Sequence, residues 1–169
     1  VNQDGRSSGL TVPNGPSQER VIRDAIKMAN IKPEDISYIE AHGTGTSLGD
    51  PIEANALGSV LSDNRKQKFL VGSVKTNFGH LEAAAGMASL IKTILCLQKK
   101  TLVPTLHFQK INPHIELEKI PLEVVTKITP WGNTNENSYA GISSFGFSGT
   151  NAHLIVCNHL PDKEMIEEV

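Results

Sequence analysis

The sequence has no strong excess of charge and no long hydrophobic run. Its 169 residues carry 16 Lys and Arg against 18 Asp and Glu, a net charge of -2. This balance gives no basic surface of the kind that attracts nucleic acid or an anionic membrane. The longest apolar stretch, residues 83–97, is interrupted by Ser89 and Lys92 and is shorter than the roughly 20 residues that a spanning helix needs. We therefore expect no nucleic-acid partner and no membrane span.

Cysteine is also scarce, with two residues, which is too few for a disulfide framework. Cys96 lies in an apolar helical run and Cys157 in a β-prone run, where free cysteine is most often a small buried hydrophobic side chain. The six histidines include no H-x-x-x-H spacing and the cysteines no C-x-x-C spacing, so we predict no metal site. Because no signal peptide opens the chain, we expect a cytoplasmic protein.

The sequence does contain alternating helical and β-prone segments, which are typical of an α/β layered domain. We predict helices over residues 17–29, 50–62 and 81–98, and strands over 36–41, 69–74, 123–127, 139–144 and 152–157. Ser17 is the predicted cap of the first helix, and Asp50 with Glu53 the predicted capping box of the second. The third helix is apolar on nearly all sides, so we expect it to lie buried between layers.

We expect one domain over residues 1–158 and a linker over 159–169, with an irregular connection over 101–121. A βαβ unit needs a strand before its first helix, and residues 1–2 could supply only the end of one. Since the first residue is Val1 and not Met, we expect a processed chain or a piece of a larger protein, with the fold continuing upstream.

Two predicted strands lead directly into glycine loops that contain a histidine. One loop holds His42, Gly43 and Gly45, and the other ends in Gly79 and His80. Loops at the carboxyl ends of strands are where α/β folds bind ligands, and two imidazoles there could donate hydrogen bonds to one developing oxyanion. The alternative, that each histidine is a separately satisfied loop residue, is about equally compatible with the spacing.

The first loop can also be compared with a dinucleotide-binding fingerprint. The segment 43–49 follows a strand and precedes a helix, but its last glycine is one position late. The next strand is followed by Lys75, where a ribose-binding carboxylate would be expected. A dinucleotide-binding oxidoreductase is therefore a minor alternative.

Several long motifs occur in an order that resembles the C-terminal half of a β-ketoacyl synthase, and more closely the ketosynthase domain of a modular type I polyketide synthase. The motifs are VNQDGRSSGLTVPNGPSQ at 1–18, EAHGTGTSLGDPIEANAL at 40–57, VGSVKTNFGHLEAAAG at 71–86, PTLHF at 104–108, TPWG at 129–132 and SSFGFSGTNAH at 143–153. The resemblance implies the thiolase fold, two similar α/β halves stacked in five layers α-β-α-β-α, with this chain as the second half.

The resemblance also implies an activity, the decarboxylative Claisen condensation of an acyl thioester with a malonyl-type unit in polyketide or fatty acid biosynthesis. The nucleophilic cysteine of the family belongs to the first half. His42 and His80 match the two catalytic histidines, and Lys75 matches a lysine that maintains the electrostatics of the site. The backbone N–H of Phe147 would be one oxyanion donor. The enzyme class implied is an acyltransferase, incomplete in this chain.

The same resemblance implies the substrate-binding residues and the partners. Thr44 and Thr46 would bond the phosphopantetheine arm of an acyl carrier protein, and Phe145 and Phe147 would line and gate its tunnel, with Asn77 also on the substrate side. No cofactor would be bound directly, because the carrier brings the phosphopantetheine. The partners would be the N-terminal half of the domain, the carrier protein and a second copy in a homodimer.

A non-condensing ketosynthase that only binds or transfers acyl chains is the main alternative within the family. Such domains often lack one of the histidines, and here both His42 and His80 are present. The motifs therefore favour a ketosynthase that catalyses condensation.

Overall fold

The computed structural model describes residues 1–5, 9, 12–132 and 137–158. The helices are α1 (Gly15–Ala29), α2 (Gly49–Leu61), α3 (Lys75–Phe78) and α4 (Ala85–Lys99). The strands are β1 (Asn2–Gln3), β2 (Ile36–Glu40), β3 (Phe69–Gly72), β4 (Thr101–Leu102), β5 (Leu122–Val124), β6 (Thr129–Pro130), β7 (Tyr139–Phe145) and β8 (Thr150–Cys157). The predicted linker over 159–169 lies outside the described residues.

Six strands form one mixed sheet in the order β1-β8-β7-β2-β3-β5. Strand β2 lies inside it and pairs in parallel with both β3 and β7, while β7 and β8 form an antiparallel hairpin. β5 is an edge strand, as expected. Because β2 and β3 are adjacent and parallel, the two loops that follow them emerge side by side at one edge of the sheet.

Helices cover both faces of this sheet, which gives three layers. Helices α1 and α2 pack on one face over a core that includes Ile22, Leu57, Ile39 and Phe69. Helix α4 packs on the other face, where Tyr38, Cys96, Leu97, Ala140 and Trp131 form a second cluster. The predicted α/β layered class is confirmed, and alternate residues of β2 contribute to opposite cores because successive side chains of a strand point to opposite faces.

The predicted helix caps are wrong in detail. Helix α1 begins two residues early, and its cap is Asn14, whose side chain accepts the backbone N–H of Ser17. Helix α2 has Leu48 as its cap residue, without a side-chain cap bond. The Asp50 carboxylate instead accepts the N–H of Gly45, and Glu53 also bonds the preceding loop. A side-chain acceptor in the first helical turn can serve either its own helix or a nearby loop, and sequence alone does not distinguish the two.

Helix α4 is buried on one face only within this chain. Ala85, Ser89 and Thr93 are buried on that face. The opposite face presents Met87 and Leu95, which are 58% and 50% exposed. We expected a layer on each side of this helix, and in this structure a layer covers one side.

Two smaller expectations also need correction. The short strand β4 lies inside the stretch 101–121, which was expected to be irregular, and it pairs with β6. Cys96 is buried as expected, but Cys157, at the end of β8, is exposed.

Candidate functional site: two histidine loops in one cleft

The structure brings the two predicted histidines together. His42 follows β2 and His80 follows β3 and α3, and their rings meet edge to face with centroids 5.3 Å apart. The ring of Phe145, at the end of β7, lies 5.7 Å from that of His42. Three parallel neighbours of the sheet therefore place these rings at one edge, as a paired donor site requires.

Both imidazoles have one ring nitrogen engaged by a backbone donor. His42 Nδ1 accepts the N–H of Phe145 at 3.4 Å, and His80 Nδ1 accepts the N–H of Glu82 at 3.0 Å. A ring nitrogen that accepts a hydrogen bond carries no proton, so in both residues the ring N–H lies on Nε2. The two Nε2–H groups are therefore the donors that this pair can offer to a ligand.

The surroundings of His42 favour the neutral ring. Burial lowers its pKa to about 4, and electrostatic interactions with Lys75 and then His80 act in the same direction. Burial also lowers the pKa of Lys75, while the carboxylates of Glu53 and Glu40 oppose that fall. An imidazole with a pKa near 4 is uncharged at neutral pH and can act as a hydrogen-bond donor without being an acid.

The glycine loop that carries His42 is held by Glu53, which the sequence predicted to be part of a helix cap. Glu53, 5% exposed on α2, accepts the backbone N–H of His42 at 2.8 Å and that of Gly43 at 2.9 Å. Burial raises its pKa to about 7 despite these two bonds. The signal available in the sequence was an acidic residue ten positions after the first glycine of the loop, which equally fits a cap.

The histidines open onto a cleft of about 570 Å³. Its lining contains most of the predicted substrate residues, namely Thr44, Thr46, Phe145 and Phe147. The hydroxyls of Thr44 and Thr46 lie 3.4 Å apart at the exposed side of the loop. Of the predicted substrate-binding residues, Asn77 is exposed on α3 and is not among the described residues that line the cleft.

A second cavity of about 840 Å³ lies on the other side of the glycine loop. The glycine loop lies between the two cavities. His42, Thr44 and Thr46 face the histidine cleft, whereas Gly43 and Gly45 line the second cavity. Lys75 lines this second cavity and not the cleft, so its influence on His42 is electrostatic.

The turn between β7 and β8 closes one end of the cleft. Gly146 donates its N–H to Thr150 at 2.7 Å, and Gly149, with a φ of 88°, donates back to Gly146 at 3.0 Å. Phe147 at the tip is 74% exposed. The side-chain amide of Asn151, 2% exposed, donates to the Asp4 carboxylate and to the side-chain oxygen of Asn2, which anchors the turn to the first strand.

Two features are absent from the part of the chain that the structure describes. Over residues 1–5, 9, 12–132 and 137–158, no group of three or more His, Cys, Asp or Glu side chains is placed to hold a metal ion. Over the same residues, no helix has the length and hydropathy required to cross a membrane.

The fold and the cleft define an α/β domain in which the loops after two neighbouring strands bring two histidines together, next to a glycine-bearing turn. The family model "Beta-ketoacyl synthase, C-terminal domain" matches residues 1–109, and the model "Ketoacyl-synthetase C-terminal extension" matches residues 112–168. The chain belongs to the β-ketoacyl synthase C-terminal domain family.

Its relatives among characterised proteins are modular polyketide synthases. It is 51% identical over 156 residues to erythronolide synthase EryA2 of Saccharopolyspora erythraea, covering 92% of this chain and 4% of that protein. It is 48% identical over 166 residues to polyketide synthase PksL of Bacillus subtilis, covering 96% of this chain and 4% of that protein. The chain thus spans less than a tenth of the length of either relative.

Solved structures agree. The ketosynthase from module 6 of the bacillaene synthase of Bacillus subtilis 168 superposes with a TM-score of 0.90 at 48% identity, covering 96% of this chain and 29% of that one. The oxazolomycin ketosynthase domain of Streptomyces albus JA3453 superposes with a TM-score of 0.89 at 39% identity, again covering 96% and 29%. The predicted thiolase-like ketosynthase fold is confirmed.

Proposed function

We propose that this chain is the histidine-bearing half of a polyketide synthase ketosynthase that catalyses decarboxylative condensation. The observation that carries the proposal is the arrangement of His42 and His80, whose rings meet 5.3 Å apart with both Nδ1 atoms occupied by backbone donors. Both histidines line the same cleft. Paired N–H donors suit an oxygen that becomes negatively charged during the reaction.

The chemistry begins with a malonyl-type thioester. Its bond to the carboxylate carbon breaks, carbon dioxide leaves, and the electron pair passes to the thioester oxygen as an enolate. His42 and His80 stabilise that oxygen through their Nε2–H groups. The enolate carbon then attacks the acyl thioester on the cysteine supplied by the first half of the domain. A carbon–carbon bond forms, and the cysteine thiolate leaves.

The electrostatics of the loop support this role. Burial holds the pKa of His42 near 4, so the ring is neutral under physiological conditions and does not transfer a proton to the enolate prematurely. The Lys75 charge behind the loop strengthens that effect. Lys75 therefore tunes the electrostatics of the site and does not attack substrate.

The remaining groups of the cleft would bind the acyl and carrier components. Thr44 and Thr46 present hydroxyls to the amides of a phosphopantetheine arm, and Phe145 and Phe147 supply apolar walls. The Phe147 backbone N–H, in the glycine-bearing turn between β7 and β8, would donate to the oxyanion of acyl transfer. Asn77 would act on the substrate only if the first half of the domain extends the cleft over α3.

The assembly that this activity needs is larger than the chain. It consists of the N-terminal half of the ketosynthase with the cysteine, an acyl carrier protein that brings the acyl and malonyl thioesters, and a second copy in a homodimer. The enzyme class is an acyltransferase of the 3-oxoacyl-carrier-protein synthase type, acting in the cytoplasm.

Malonyl-thioester decarboxylation by the complete ketosynthase domain tests the proposal. The parent is compared with His42→Ala and His80→Ala, each loaded with acyl chain on the cysteine, and carbon dioxide release is measured. We expect each substitution to lower the rate by about a hundredfold or more, the usual cost of removing an oxyanion donor. Full activity in both variants would refute the proposal. Acylation without any decarboxylation by the parent would favour a non-condensing transfer domain.

A further inference from the structure

A charged pair lies buried directly behind the two histidine loops. Glu40, the last residue of β2, is fully buried, and its Oε2 accepts a hydrogen bond from Lys92 Nζ of α4 at 2.7 Å. The hydroxyl of Tyr38 donates to the same oxygen at 2.6 Å. Burying two charges is costly unless their mutual geometry is good, so a pair at this depth is an unusual feature of the sheet.

The second oxygen of Glu40 makes the bond that matters for the site. Oε1 accepts the backbone N–H of Val74 at 2.5 Å. Glu40 stands two residues before His42, and Val74 stands one residue before Lys75 in the loop that ends at His80. A single carboxylate therefore joins the base of one histidine loop to the base of the other.

Gly72 shows that room is reserved for this arrangement. A Cβ at that position would lie 2.5 Å from the Tyr38 hydroxyl oxygen and 3.2 Å from Lys92 Nζ. The strand β3 therefore needs glycine where the charged pair passes beneath it. The other ionisable groups that act electrostatically with Glu40 are Lys75 from the second loop and Cys96 from α4.

We propose that Glu40 is a positioning residue whose bond to the Val74 N–H sets the separation of the two histidine loops, with Lys92 and Tyr38 holding its carboxylate in place. This inference rests on the proposed function for its activity readout. Small displacements of groups that act on a reacting centre cost large factors in rate, so the bond should control turnover and not binding.

Two matched double variants of the complete domain separate this role from general stability. Glu40→Leu/Lys92→Met replaces the pair with apolar side chains and removes the acceptor for Val74. Glu40→Gln/Lys92→Met removes the same two charges but keeps an oxygen that can accept the Val74 N–H. Replacing a buried ion pair with apolar residues of similar volume is often neutral or stabilising, so the leucine variant should fold. The glutamine variant should fold because it keeps the shape of Glu40 and one oxygen that accepts the Val74 N–H.

We expect the leucine variant to lose about tenfold or more in the kcat of malonyl decarboxylation with little change in KM. The glutamine variant should stay within about threefold of the parent because the tether remains. A leucine variant as fast as the parent, or a glutamine variant as slow as the leucine variant, would overturn the proposal. If the leucine variant does not fold, Glu40→Met/Lys92→Leu supplies a second apolar filling.

Amide hydrogen exchange at Val74 provides a readout that does not depend on catalysis. We expect this amide to exchange about tenfold or more faster in the leucine variant than in the glutamine variant, because only the latter retains the acceptor. Equal protection in both would contradict the tether. A parent domain that fails to decarboxylate would refute the proposed function, and the exchange measurement would then decide the positioning role alone.

Discussion

Replacing Glu53 with glutamine provides a test of the electrostatics beneath the His42 loop. The side chain is 5% exposed, and its two oxygens accept the N–H groups of His42 and Gly43. Burial raises its pKa from 4.5 to about 7. Glutamine has nearly the same shape and keeps one oxygen, but it does not titrate. The comparison therefore isolates the protonation of one buried carboxyl.

The sign of the effect follows from which state binds the proton. Below pH 4.5 the carboxyl of Glu53 is protonated in both the folded and the unfolded state. Between pH 4.5 and about 7 the unfolded state ionises first, so the stability contributed by the carboxyl falls as the pH rises through this window. A shift of this size corresponds to about 3 kcal/mol. The free-energy advantage of Glu53 over glutamine should therefore be larger at pH 5 than at pH 8 by about 2–3 kcal/mol.

Denaturant unfolding of the complete domain at pH 5 and pH 8 measures this difference for the parent and Glu53→Gln. His153, buried with a pKa lowered to about 4, is present in both proteins, so its contribution cancels in the comparison. Glu19→Gln, at a partly exposed ion pair with Arg23, is the control and should show no such pH dependence. An advantage that is equal at the two pH values, or larger at pH 8, would show that the two N–H bonds outweigh burial and would refute the reasoning.

Three further predictions follow from the same loop and from α4. Gly43→Ala should destabilise the domain by about 1–2 kcal/mol or more and slow decarboxylation, because φ is 48° and the new Cβ would lie 3.0 Å from that of Ser73. Gly45→Ala is the matched control. Its φ is 76° and the space around its Cβ is open, so it should lower the free energy of unfolding by less. The decarboxylation rate should show no transition near pH 6.5 that is caused by His42, since burial holds the pKa of His42 near 4. A transition near pH 6.5 that is present in the pH–rate profile of the parent and absent from that of His42→Gln would contradict this. The isolated chain should self-associate through the exposed apolar face of α4, and light scattering that shows a stable monomer at micromolar concentration would argue against it.

The motifs and their periodicity were sufficient for the class of fold and for its main elements. Strand β2 and the β7–β8 hairpin were predicted to within one or two residues, because β-branched and apolar runs bounded by glycine have few alternatives. The ketosynthase resemblance followed from long motifs in order, and the family match confirms it. The pairing of His42 with His80 could only be suggested, since nothing in the spacing states that their strands are neighbours.

Tertiary structure alone decided how polar side chains are used. Asp50 and Glu53 have the spacing of a helix cap, yet they bond the glycine loop because α2 packs beneath it. Glu40 and Lys92 are 52 residues apart and meet only because α4 packs on the face of the sheet that carries Tyr38 and Glu40. Hydrophobic periodicity is a local property that the sequence displays directly, whereas a hydrogen-bond partner depends on which segments the folded layers bring within about 3 Å.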